Sequence, residues 1–237
     1  MSPRGGSPMG RVVSGPSATQ RERRDAGPAT TKGRQRRTEI LAAARRVFEE
    51  RGFVETRVAD IVAAAQVAQG TFYTYFDSKD AVFAEVAQSV IDDMLAGLHA
   101  PRRPGAGPRQ RVRDGLQRFI DAFRPNAVII GLIEQVGTFT PEMRRLRLAL
   151  RESFVAMSAR GIVRMQTEGH ADPDVDPLMT AEVLGAMVDQ TCYVWFSLGK
   201  EFDATEVLDS LSLVWSRAIG LPEDGETPAG EPGDAAT

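Results

Sequence analysis

The amino-acid sequence predicts an all-α protein: an N-terminal three-helix unit containing a helix-turn-helix, followed by a larger C-terminal helical bundle. Three observations carry this. Between about residues 33 and 221, apolar residues recur at the spacing of a helical stripe. No run alternates apolar and polar residues as a half-buried strand would. Glycines and prolines fall where the stripes should start or stop.

The first helix is expected at about 34–51, where Ile40, Leu41, Ala44, Val47 and Phe48 share one face and Gly52 caps the end. The second runs from about Val58 to Ala65, with Thr56 or Arg57 before it and Ile61 and Val62 inward. A tight turn at Gln66–Val67 leads to a third helix at about 68–75. A fourth follows the "DSK" segment and reaches about Leu98. Beyond the loop "HAPRRPGAGPR", helices are expected at about 110–123, 126–138, 141–169, 177–198 and 204–219. Pro141 suits a first helical turn, Gly169 and Gly199 suit helix ends, and "ADPDVDP" reads as a turn before a helix start. The domains follow: a disordered basic arm at 1–32, the three-helix unit at 33–80, the bundle at 81–221, and a disordered acidic tail at 222–237.

Charge is unevenly placed. Residues 1–37 hold nine basic and two acidic residues, a surplus of seven bases, and the rest holds 20 bases and 30 acids, a surplus of ten acids. A basic head on an acidic body suits a polyanion partner, and equally a solvated arm. The single cysteine, Cys192, excludes an internal disulfide and sits in an apolar run, as an inert buried thiol would. No run approaches the length of a membrane span, and the N-terminus lacks the apolar core of a signal peptide. A soluble cytoplasmic protein is expected.

The segment "VAQGTFYTYFDSKD", Val67 to Asp80, sets four aromatics close together. Phe72 and Phe76 are i, i+4 and can pack inward with Val67 and Ile61. Gln69, Thr71, Tyr73, Thr74 and partly Tyr75 are then left outside. In a helix-turn-helix the second short helix enters the major groove, where Gln can pair with adenine and Thr can meet a base edge. Tyr and Thr hydroxyls suit phosphate oxygens, and Gly70 lets the backbone come close. Lys79 either joins the fourth helix's N-terminus at a phosphate or is a solvated lysine offset by Asp77 and Asp80.

Residues 36–86, and above all "GTFYTYFDSKDAVF", resemble the N-terminal region of the TetR family of bacterial transcription regulators. The resemblance implies a homodimeric helical repressor, bound to double-stranded DNA at a palindromic operator and released by a small effector held in the C-terminal half. By position it implies base or backbone reading by Gln69 and Thr71, phosphate contacts from Tyr73 and Lys79, and a weaker role for Tyr75. There are three departures. Gln66 stands where the family has Gly, Ala68 where it caps the helix with Ser or Thr, and Arg57 where it has Thr. A left-handed Gln66 and an uncapped third helix are the expected consequences, and Arg57 could replace the hydroxyl with a charge contact to phosphate.

In the C-terminal half, large apolar residues at helical spacing are normally core, but as a set they also suit a cavity between helices. The candidates for effector contact are Phe119, Phe123, Ile130, Ile133, Glu134, Phe154, Met157, Met187, Gln190 and Trp195, which favour a hydrophobic or amphipathic ligand. Glu134 and Asp189–Gln190 lie in apolar runs, where they could meet ligand, pair across a dimer or face water. Dimerisation is expected through the last two helices, using Leu184, Met187, Val188, Val194, Leu208, Leu211, Val214 and Trp215. No metal-ligand spacing, phosphate loop or nucleophile motif is present, so neither enzyme chemistry nor a metal or cofactor is expected. The rival reading is a constitutive regulator or activator whose bundle binds protein.

Overall fold

The computed structural model describes residues 30–98, 103–138 and 140–223. Most of the expected arm and acidic tail, His99 and Phe139 lie outside the described residues. Among the described residues every regular element is helical.

Helix α1, Thr31–Glu55, starts three residues earlier than expected, because Thr30 Oγ1 accepts from Gly33 N at 3.1 Å. Residues 31 and 32, expected in the arm, therefore belong to a helix. Ile40, Ala43, Ala44, Val47 and Phe48 are buried, and Leu41 is only partly so. Gly52 breaks the helix at φ 74°, where a side chain would be strained. Helices α2, Val58–Ala64, and α3, Gln69–Tyr75, follow. Their turn forces Gln66 to φ 53°, the one left-handed non-glycine among the described residues.

Helix α4, Lys79–Leu98, starts under a Ser78 cap, whose Oγ accepts from Ala81 N at 3.1 Å. Phe83, near its start, packs with Phe48 and Phe53 at ring separations of 5.0 and 4.9 Å. Met94, near its end, is buried among the later helices. The expected boundary at 80/81 thus falls inside the first turn of a rod about 30 Å long.

The remaining helices are α5 (Pro108–Phe123), α6 (Ala127–Gly137), α7 (Pro141–Thr167), α8 (Pro177–Cys192) and α9 (Ala204–Ala218). Pro108, Pro141 and Pro177 occupy first turns, where a missing N–H costs nothing. Asp176 caps α8 by accepting from Met179 N at 2.8 Å. Gly169 and Gly199 take φ 73° and 74° at helix ends, as expected. Two irregular turns depart from the sequence reading. A 3-10 turn, Arg124–Asn126, separates α5 from α6, and a π turn, Tyr193–Ser197, ends α8 six residues early.

Four residues expected at a dimer face, Leu184, Val188, Leu208 and Leu211, are buried within this chain. The apolar residues that α8 and α9 leave outside are Leu178, Met179, Val183, Leu213 and Val214, all exposed.

Candidate functional site

Helix α3 sorts its side chains as the i, i+4 spacing demands. Phe72 and Phe76 are 0% and 2% exposed, with ring centroids 5.6 Å apart, over buried Ile61. Tyr73, 41% exposed, meets Phe72 edge to face at 5.4 Å, so its ring is braced while its hydroxyl end stays outside. Gln69, Gly70 and Thr74 are exposed, and Thr71 and Tyr75 are half-buried. A Cβ on Gly70 would meet no atom within 4 Å, so packing within the chain does not require glycine there. Ala68 leaves the helix start without a side-chain cap.

Around this helix the charged residues are braced from within. Arg57 is exposed at the start of α2, and its backbone N–H donates to Asp60 at 2.9 Å, while Arg51 pairs with the same carboxylate at 2.8 Å. Thr56 is buried, donating to Gly52 O at 2.6 Å. Lys79 folds back: its Nζ donates to Phe53 O at 2.7 Å and Val54 O at 3.3 Å, and lies 4.4 Å from the Phe53 ring centre. The ammonium thereby holds the end of α1 against the start of α4.

A second feature lies in the later helices. A cavity of about 540 Å³ opens between α4, α5, α6, α7 and α8, within the size range of small-molecule sites. Seven of the ten expected effector contacts line it: Phe119, Phe123, Ile130, Ile133, Glu134, Phe154 and Met157. Phe119 and Phe154 meet across it edge to face at 5.2 Å. Met187, Gln190 and Trp195 do not line it. Gln190 faces a neighbouring open groove, Met187 packs against the core, and Trp195 stacks on Phe196 at 4.3 Å. The π turn explains Trp195: one extra residue per turn rotates it off the Ala181–Gly185–Val188 face that reaches the cavity.

Polar residues in the wall are mostly arginines: Arg111, Arg118, Arg144, Arg147, Arg151 and Arg164. Glu134 pairs with Arg147. Asp189 is held above the usual carboxyl range by burial and then by the charge of Glu134, against the pull of Arg151 and Arg147. Cys192, fully buried, has its thiol pushed up to about 12 by burial and by Asp189, consistent with an inert thiol.

Residues 40–86, which hold α2 and α3, match the model of the bacterial regulatory proteins, tetR family. This segment is TetR-like. The chain is 28% identical over 203 residues to the HTH-type transcriptional regulator EthR of Mycolicibacterium smegmatis, covering 85% of this chain and 92% of the relative. It is 26% identical over 150 residues to the HTH-type transcriptional repressor DhaR of Mycobacterium sp. strain GP1, covering 62% of this chain and 76% of DhaR. Its fold matches that of Salmonella enterica GusR with a TM-score of 0.66 at 20% identity, over 81% of this chain and 99% of GusR.

The arginine lining of the cavity was not among the residues expected from the sequence. Arg144, Arg147 and Arg151 fall at i, i+3 and i+7 on α7, and Arg111 and Arg118 at i and i+7 on α5. That periodicity was a usable signal. No helix among the described residues is long and apolar enough to cross a membrane.

Proposed function

We propose that this protein is a cytoplasmic repressor of the TetR family that binds a palindromic operator as a homodimer and releases it when a small hydrophobic or amphipathic effector enters the cavity. The observation that carries the DNA half of this reading is the division of α3. Phe72 and Phe76 anchor it in the core while Gln69, Gly70, Tyr73 and Thr74 stand outside. In that arrangement Gln69 and Thr71 read base edges, Tyr73 and Thr74 reach phosphates, and Arg57 and Tyr75 flank them. Lys79 is already engaged with Phe53 and Val54, and its role is to orient α3 through α4.

The cavity supports effector control over the rival of a constitutive regulator with a solid bundle. Met94 and Leu98 of α4 form part of its wall, and the other end of α4 is fastened to the DNA-binding unit by Lys79 and Phe83. A ligand that shifts the far end of α4 biases the position of α3. Such coupling requires that the ligand prefer one of the two positions. The exposed apolar row Leu178, Met179, Val183 and Val214 supplies the dimer face.

The test combines sedimentation with footprinting. A dimer at micromolar concentration, protecting two half-sites about one helical turn or a multiple apart, is the expected result. A monomer that protects one isolated half-site contradicts it.

A further inference from the structure

The cavity wall carries more positive charge than its own acids balance. Among its arginines, Arg111 pairs with Glu168, Arg147 with Glu134, and Arg151 with Glu182 at 2.6 Å. Arg151 also donates to Glu182 O at 3.0 Å. Asp189 is the other acid of the wall, besides Glu134. Arg118 differs from the paired arginines. It lies on α5 with its Nε shut off from solvent, and no acceptor reaches that atom; among the described residues it is the one buried side-chain nitrogen or oxygen so placed.

An unsatisfied buried N–H is costly, and more so on a charged group. A guanidinium presents a planar fork of donors that fits a carboxylate or phosphate. Phe119, beside Arg118 in sequence, also lines the cavity, as do Leu116, Phe154 and Met157, so an apolar body and a charged head can be held together.

We infer that the cavity takes an amphipathic anion, an apolar chain ending in a carboxylate or phosphate, with Arg118 as a principal donor to the head group. This deepens the proposed function and rests on reading the cavity as the effector site. A cationic ligand would face the arginines of the wall, and an uncharged one would give Arg118 no counter-charge.

The test uses an indole already in place. Trp215 lines the cavity and Trp195 does not, so the Trp195→Phe chain reports ligand entry through Trp215 fluorescence. Decanoate, decyl phosphate, methyl decanoate and decanol are titrated in turn. One of the two anions binds about tenfold or more tightly than methyl decanoate and decanol, and the tighter anion names the head group. Arg118→Met removes that preference while the neutral probes still bind, and Arg118→Lys restores part of it. Retained binding of the neutral probes also shows that the Arg118→Met chain is folded. Neutral probes that match the anions in the Arg118 chain overturn the anionic inference and leave the cavity as an effector site. An anion preference that survives Arg118→Met overturns the role of Arg118. Failure of all four probes to bind overturns the inference and removes support from the effector reading as well.

Discussion

Arg45 of α1 reaches the turn between α5 and α6, where its Nη2 donates to Asn126 Oδ1 at 2.9 Å and to Pro125 O at 3.2 Å. Asn126 is buried and in turn donates to Ala122 O at 2.8 Å, at the end of α5. Glu49, one turn along α1, holds the same guanidinium at 2.8 Å. The helix that braces the DNA-binding unit is therefore tied to two of the helices that line the cavity, α5 and α6. A double-mutant cycle of Arg45→Met and Asn126→Ala should give a coupling energy of about 1 kcal/mol in urea unfolding. A coupling near zero would mean that the contact does not join the two parts.

Lys79→Met separates bracing from DNA contact. The variant loses two donated hydrogen bonds and the contact with the Phe53 ring. Stability should fall by about 1 kcal/mol. The slope of DNA affinity against salt should stay as it was, whereas loss of a phosphate contact lowers it by about one. A changed slope with unchanged stability would return Lys79 to the phosphate role.

The turn before α3 is suboptimal at two places, and both can be repaired. Gln66→Gly relieves the left-handed backbone and should stabilise by about 0.5 to 1 kcal/mol after allowing for the greater freedom of glycine when unfolded. Ala68→Ser restores a cap and should add about 1 kcal/mol. Either variant lowering the denaturation midpoint would show that the turn is held in its shape by something other than its own backbone.

Asp189 makes stability depend on pH. Its folded carboxyl is raised, chiefly by burial, so its favourable contribution is complete below the unfolded carboxyl range and is lost as pH rises through the folded value. At neutral pH the ionised side chain costs stability. Asp189→Asn should raise Tm at pH 7, by roughly 2–4 °C for each kcal/mol relieved, and the gain should vanish near pH 3. A gain that grows on acidification contradicts the assignment.

The parts of this protein that were legible in its sequence are those set by local chemistry. Gly52, Gly169, Gly199 and Gln66 lie where a chain must turn left-handed, and Phe72 and Phe76 are fixed inward by their spacing. The parts that were not legible depend on distant neighbours. The carbonyls that hold Lys79 come from Phe53 and Val54, and nothing near Lys79 announces them. Trp195 continues the inner face of α8 at regular helical spacing, and the π turn rotates it away. Leu184, Val188, Leu208 and Leu211 carry the same apolar signal whether they meet a partner or their own core, and here they meet the core.

The central claim is that α3 reads DNA with the side chains it leaves outside. The direct measurement is affinity for the DNA upstream of this chain's own coding sequence, against scrambled duplex, over a range of salt concentrations. It is made for the parent chain, Gln69→Ala and Tyr73→Phe, each shown to be folded by circular dichroism. The account predicts tight, salt-steep binding to one palindrome. Gln69→Ala should lose about 1–3 kcal/mol of discrimination, and Tyr73→Phe should weaken all duplexes alike. Equal affinity for every sequence, untouched by both substitutions, would contradict it.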